Sequence, residues 1–229
     1  MKIVALNPKY EFTKEQRLTL SKLGSVVYAK DRERLPLGVL LNMTKDADIL
    51  AVDPDSVGGF EKGKEIVTKI IESLPNLKGI CLSTTSYGWV DLDYCRRRKI
   101  SVCNIPHYSR ESVAEHTLAL LLCLSKRIIL TDRKTQKGKY ELGMGTELKG
   151  KTLGIIGLGS IGSRVAELGQ AIGMKVIAYN RSPKRQVDVG MKSFSDVLKQ
   201  SDAIAIHLID SKETQGCIGK KQISLMKKG

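Results

Sequence analysis

Along this chain, short continuous apolar runs alternate with longer stretches in which apolar residues recur every third or fourth position. The runs in the N-terminal part are "KIVALN", "SVVYA", "DILAVD", "KGICLS" and "SVCNIP". Runs of this kind predict buried strands, and the periodic stretches between them predict helices. The first periodic stretch, "TKEQRLTLSKLG", predicts a helix opened by a capping box from Thr13 to Gln16 and closed at Gly24. Further helices are expected near Pro36 to Ala47, Glu61 to Leu74 and Asp91 to Arg98. Strand and helix in regular alternation predict a parallel sheet with helices on its faces, an α/β fold.

The stretch "SRESVAEHTLALLLCLSKRIILTDRKTQ" breaks this rhythm by its length and predicts one long helix over residues 109–136, capped by Ser109 or Ser112. Its Val113, Leu118, Leu121, Leu122, Leu124 and Ile128 cover more than one face. Such a helix is expected to be buried on several sides, between two domains or against a second subunit. The glycine-bearing loop "GKYELGMGTELKG" follows, and from Lys151 the alternation restarts with "KTLGIIGLG", "KVIAYN" and "AIAIHL". Helices are expected at Ser160 to Ile172, Ser195 to Lys199 and Lys220 to Lys227. The expected division is one domain over residues 1–104 and a second over 105–229 that begins with the linking helix 109–136.

Composition narrows this picture. The chain has 229 residues, 41% of them apolar, enough to bury a core. The longest apolar run, "LALLLCL", is far too short to span a bilayer, and "MKIVALNP" has no signal-peptide pattern, so a cytoplasmic location is expected. The net charge of +14 raises the question of nucleic acid. The basic residues are spread along the whole chain, however, and three phenylalanines and one tryptophan make a thin platform for stacking bases. A general positive field suits anionic small molecules instead, and nucleic acid is not the expected partner. The five cysteines, Cys81, Cys95, Cys103, Cys123 and Cys217, lack metal-type spacing and are expected to be buried free thiols.

Candidate chemistry concentrates in "GLGSIG". This turn lies between the apolar strand "TLGIIG" and the amphipathic helix "SRVAELGQAIG", the context in which a glycine pattern grips a dinucleotide. Gly157 would allow the tight turn, Gly159 the close approach of a pyrophosphate, and Gly162 the packing of helix against strand. Amides around Ser160 and Ile161 would donate to phosphate oxygens at the positive end of the helix. At the end of the next strand, where a carboxylate would hold the ribose hydroxyls and repel a 2′-phosphate, the chain has Asn180. Arg181, Ser182, Lys184 and Arg185 follow, so NADP is the expected cofactor, with NAD the second choice.

Three stretches resemble the D-isomer-specific 2-hydroxyacid dehydrogenases, the family that includes phosphoglycerate dehydrogenase and glyoxylate/hydroxypyruvate reductase. They are "YGWVDLDYCRRRKISVCNIPHYSRESVAEHTLALLL", "ELKGKTLGIIGLGSIGSRVAELGQAIGMKVIAYNRSPK" and "SDAIAIHLIDSKETQGCIGKKQISLMKKG". The resemblance implies a flavodoxin-like N-terminal substrate domain and a Rossmann dinucleotide-binding domain. It also implies a homodimer formed in part by the long helix, and a small 2-oxo or 2-hydroxy acid as substrate. By position, Thr85 and Ser86 would offer amides to the substrate carboxylate, although Thr84, Ser86 and Gly88 depart from the family's usual residues there. His207 and Leu208 would line the nicotinamide side. His207, His107 and His116 are expected to serve packing rather than catalysis.

The family's catalytic arginine, glutamate and histidine fall downstream of the segment matching "ISLMKKG", and hydride transfer needs such a proton donor and oriented cation. The Rossmann domain is therefore expected to be C-terminally incomplete, with no catalytic residue in this chain and no activity by itself. The parent function is expected to be NAD(P)-dependent oxidoreduction. The other reading is a catalytically dead dinucleotide-binding or regulatory protein.

Overall fold

The computed structural model describes the whole chain except residues 142, 183–187, 210, 212 and 229. Lys184 and Arg185, expected beside the cofactor, lie outside the described residues. Two compact units divide the chain, Met1–Pro106 and His107–Gly229. No helix among the described residues is long and apolar enough to cross a membrane.

The first unit holds five parallel strands, β1 (Lys2–Pro8), β2 (Ser25–Ala29), β3 (Ile49–Val52), β4 (Gly79–Leu82) and β5 (Ser101–Cys103). Their order β2-β1-β3-β4-β5 is the flavodoxin-like order. Helices α1 (Lys14–Leu23), α2 (Leu37–Thr44), α3 (Gly59–Glu72) and α4 (Leu92–Arg97) join them. The capping box forms at α1, where the Gln16 amide donates to Thr13 Oγ1 and the Thr13 amide to Gln16 Oε1. The helix ends at Gly24, whose hydrogen stands where a Cβ would lie 1.9 Å from the Met1 carbonyl oxygen.

One continuous core fills one side of this sheet, built from Val4, Leu6, Leu50, Val52, Ile80 and Leu82 with Leu40, Val67, Ile70, Ile71 and Trp89. Alternation along β4 and β5 sends Cys81 and Cys103 to the opposite face, where both are exposed. The expectation of buried thiols holds for Cys95 and fails for these two. In a strand only every second side chain faces the core, and an apolar run does not say which.

The second unit holds β6 (Thr152–Ile156), β7 (Lys175–Tyr179), β8 (Val189–Met191) and β9 (Ala203–Ile206), all parallel, in the order β8-β7-β6-β9. Its helices are α5 (Arg110–Ser125), α6 (Ile128–Thr135), α7 (Ser160–Ala171), α8 (Phe194–Gln200) and the single turn α9 (Lys220–Ile223). Both sheet faces are covered. Leu153 and Ile155 pack with Ala114, Val165 and Ala166 on one side, and Ile156 packs with Val197 and Leu198 on the other. The strand order is that of the first four strands, 3-2-1-4, of a dinucleotide-binding fold.

The single long helix expected over 109–136 is two helices. Arg127 takes a left-handed conformation (φ 55°) between α5 and α6. The Ser125 carbonyl accepts instead from the Thr146 amide at 2.7 Å, so the intrahelical ladder loses its acceptor there. Nor is α5 buried all round: Ala114 is its one buried residue, while Val113, Leu120 and Leu124 are exposed.

Candidate dinucleotide site

The turn from β6 into α7 is set by three glycines with different steric duties. Gly157 has φ 97°, which a side chain adopts only under strain, and a Cβ there would lie 2.4 Å from the His207 carbonyl oxygen. At Gly162 a Cβ would lie 2.1 Å from the Gly157 carbonyl oxygen, so a side chain would push α7 off the turn. Gly159 is different in kind. A Cβ there would meet nothing within 4 Å, so the glycine keeps an open approach to the backbone rather than relieving a contact inside the protein.

Gly159 is also the N-cap of α7, with no side chain supplying a cap. The amides of Ser160 and Ile161 in the first turn therefore face the approach left open by Gly159 without an intrahelical acceptor. Helix dipole and amide donors together make this end a place for negative charge. It opens onto a cleft of about 630 Å³ at the C-terminal ends of β6, β7 and β9, lined by Gly157, Gly159, Asn180, Arg181, Ser182, His207 and Leu208 among others. Of the expected residues of the second unit, Gly157, Gly159, Asn180, Arg181, Ser182, His207 and Leu208 line this cleft, whereas Ser160, Ile161 and Gly162 lie in the first turn of α7 and are not part of its lining.

Asn180 has a role that the sequence did not reveal. Its Oδ1 accepts from the Leu158 amide at 3.1 Å, and its Nδ2 donates to the Ser182 carbonyl at 2.7 Å. The carboxamide thus ties the glycine turn to the loop after β7. Arg181 and Ser182 are exposed at the rim, and Arg181 forms no ion pair among the described residues. His207 follows β9, and its amide donates to the Ile156 carbonyl at 2.8 Å. Its Nε2 is buried with no hydrogen-bond partner among the described residues, and burial pushes the imidazole below its ordinary range, which favours the neutral form.

Thr85 and Ser86 lie in the first unit, in the loop after β4, far along the chain from the glycine turn. Thr85 Oγ1 donates to the Ile105 carbonyl at 3.1 Å, and Asn104 Nδ2 donates to the Thr85 carbonyl at 2.7 Å. The Ser86 carbonyl accepts from Trp89 Nε1 at 2.9 Å and from Thr84 Oγ1 at 2.8 Å. The amides of Thr85 and Ser86 donate to no carbonyl among the described residues, so two donors remain at this loop. Here Thr84 and Trp89 do the shaping that glycines would do elsewhere.

Sequence reasoning missed one polar cluster in the first unit. Asp53, at the end of β3, is 5% exposed. It accepts from Ser83 Oγ at 2.7 Å and from Asn7 Nδ2 at 3.4 Å, and Arg32 stands 3.6 Å away. It occupies the edge between β1 and β3 where the strand order reverses, the usual ligand end of such sheets. The signal was present in "DILAVD", an apolar run closed by an acid.

Comparison with known proteins places this geometry. Residues 118–229 match the model of the D-isomer specific 2-hydroxyacid dehydrogenase family, NAD binding domain. A glyoxylate reductase of Thermococcus litoralis is 32% identical over 221 residues, covering 91% of this chain and 64% of that protein. One from Aeropyrum pernix is 36% identical over 172 residues, covering 69% of this chain and 51% of its own length. The chain thus spans between half and two thirds of these curated relatives. Among solved structures, D-lactate dehydrogenase from Aquifex aeolicus, complexed with NAD and lactic acid, is 31% identical. It superposes with a TM-score of 0.82 over 100% of this chain and 67% of that one. An acyclic imino acid reductase in complex with NADPH and D-Arg is 29% identical, with a TM-score of 0.82 over 99% of this chain and 71% of that one.

Proposed function

We propose, from the premise that this chain belongs to the D-isomer specific 2-hydroxyacid dehydrogenase family, that it serves NAD(P)-dependent interconversion of a 2-oxo acid and a D-2-hydroxy acid. The observation that carries this reading is the α7 N-terminus, where uncapped amides meet an unobstructed glycine beside a cleft of about 630 Å³. The amides of Ser160 and Ile161 would hold the pyrophosphate, with Gly157 and Gly162 fixing the turn. The nicotinamide, when bound, supplies or accepts the hydride. His207 and Leu208 would form the wall against it, and Thr85 and Ser86 would donate their amides to the carboxylate of the small acid.

We infer that NADP is preferred over NAD. Asn180 spends both ends of its carboxamide on backbone groups, so no carboxylate stands there to repel a 2′-phosphate. Arg181, which forms no ion pair among the described residues, and the Ser182 hydroxyl can meet that phosphate instead. We further infer that these 229 residues alone bind the dinucleotide without turnover. Among the described residues the one imidazole lining the cleft belongs to His207, and its Nε2 is buried. The exposed apolar residues of α5 and α6, Leu120, Leu124, Ile128 and Ile129, support a homodimer.

The test is a titration of the 229-residue chain with NADPH and NADH, followed by glyoxylate or hydroxypyruvate, reading cofactor fluorescence and oxidation. Tighter NADPH binding without oxidation is expected. Failure to bind either dinucleotide would overturn the functional reading. Oxidation would overturn the assignment of no proton donor to these residues.

A further inference from the structure

Cys81 of β4 and Cys103 of β5 are register partners in a parallel pair, on the sheet face that the core does not use, and both are exposed. Neighbouring strands run about 4.7–4.9 Å apart. A disulfide tolerates Cα separations of about 4.4–6.8 Å, so this pair lies within reach of a bond. Desolvation by the packing around it and then the nearby Cys103 push the Cys81 thiol up. Side chains on one face of adjacent strands project side by side, and the commonest Cα separation across a disulfide, about 5.5–6 Å, differs from the strand spacing, so closing the bond shifts one strand against the other.

We propose that Cys81 and Cys103 form a redox-responsive dithiol, closed to a cross-strand disulfide by a peroxide and reopened by a dithiol reductant. Hydrogen peroxide converts one thiol to a sulfenic acid and releases a water. The other thiol then attacks that sulfur, forming the S–S bond and releasing a second water. The two thiols are oxidised by two electrons and the peroxide is reduced to two waters. In reversal, a dithiol reductant attacks through a mixed disulfide and leaves as its own cyclic disulfide.

The pair sits where the bond would be felt. Just beyond it, the loops after β4 and β5 are stitched by three bonds: Ile105 amide to the Thr84 carbonyl at 3.1 Å, Thr85 Oγ1 to the Ile105 carbonyl, and Asn104 Nδ2 to the Thr85 carbonyl. Shifting β4 against β5 at their last paired residues changes the spacing that these bonds span. The Thr84–Ser86 loop then moves, and with it the donors assigned to the substrate carboxylate. This consequence rests on the functional reading above, whereas the thiol chemistry does not. Trp89, the single tryptophan, bonds this loop through Nε1 to the Ser86 carbonyl and so reports on it directly.

The experiment treats the intact chain with hydrogen peroxide and follows intact mass, peptide mapping after alkylation, and Trp89 emission. Expected are the loss of two hydrogen atoms in mass, a Cys81–Cys103 linked peptide and a shift in emission, all reversed by dithiothreitol. Cys81→Ser and Cys103→Ser should each abolish all three. Independent alkylation of both cysteines after oxidation, overoxidation of either, or linkage to another cysteine or another chain would overturn the proposal. Mapping of the unsubstituted chain decides this even if a serine variant folds poorly. A disulfide that leaves Trp89 emission unmoved would overturn the coupling to the loop. NADPH titration of the reduced chain is a separate readout, so failure of the cofactor reading and failure of the dithiol remain distinguishable.

Discussion

In the second unit, β6 is packed on both sides: Leu153 and Ile155 face α5 and α7, and Ile156 faces α8. In the first unit, β4 offers Ile80 and Leu82 to a deep core on one side, while Cys81 on the other side remains exposed. Both strands read alike as apolar runs, "TLGII" and "GICL". The difference shows that an apolar run marks a strand without stating how many of its faces are covered, because coverage is decided by helices contributed from elsewhere. The glycine turn extends the contrast. The second unit shapes its turn with glycines that a side chain would obstruct or strain, and the first shapes the loop after β4 with hydrogen bonds from Thr84, Trp89 and Asn104.

The sharpest way to break this comparison is to empty the deep core. Leu50 is fully buried, so Leu50→Ala should cost about 2–5 kcal/mol in urea unfolding followed through Trp89 emission. Val27→Ala, at a residue 36% exposed, should stay within about 0.5 kcal/mol. Both side chains lie on the same face of the sheet, so equal costs would mean that its edge strand is packed as closely as its centre. Next in size, Gly162→Ala should cost about 1–3 kcal/mol and eliminate NADPH binding, because its methyl meets the Gly157 carbonyl. The matched change Gly38→Ala, within α2 and facing open space, should stabilise by about 0.4–1 kcal/mol. Circular dichroism melts of both variants provide the check.

A smaller effect is expected at the rim of the cleft. Arg181→Ala removes a charge-assisted partner worth about 1.5–3 kcal/mol, a loss of roughly tenfold or more in NADPH affinity, with NADH affinity little changed. Isothermal titration with both cofactors would show equal losses if Arg181 does not read the 2′-phosphate. The smallest effect is the pH response of His207. Burial lowers its folded pKa below the ordinary 6.5. The unfolded chain therefore takes up a proton first as pH falls. Stability is unaffected above about 6.5 and declines from there down to the folded pKa. Urea midpoints at mildly alkaline and mildly acidic pH should differ less in His207→Gln than in the parent chain.

Much of the fold was legible because its signals are local. The Thr13–Gln16 box, the Gly24 stop and the GLGSIG turn each depend on residues a few positions apart, and each forms as expected. The break at Arg127 was not legible, since it depends on Ser125 giving its carbonyl to Thr146 across a loop. Strand β8 was missed because "VGM" is three residues long with a glycine at its centre, too little to carry a period. The two bonds of Asn180 were invisible for a related reason. Residue type showed that a carboxylate was missing at that position, but not that the amide was already committed to Leu158 and Ser182.

Residue order alone determined the alternation of strand and helix, the division into two α/β units, and the turn able to face a dinucleotide. Those features follow from side-chain period and from backbone freedom at glycine, which are properties of neighbours in the chain. Only the tertiary structure decided which faces stayed open, what Asn180 holds, and that Cys81 stands beside Cys103. Each of these depends on residues some twenty positions apart. Strand register and helix coverage bring such residues together, and no local pattern encodes either.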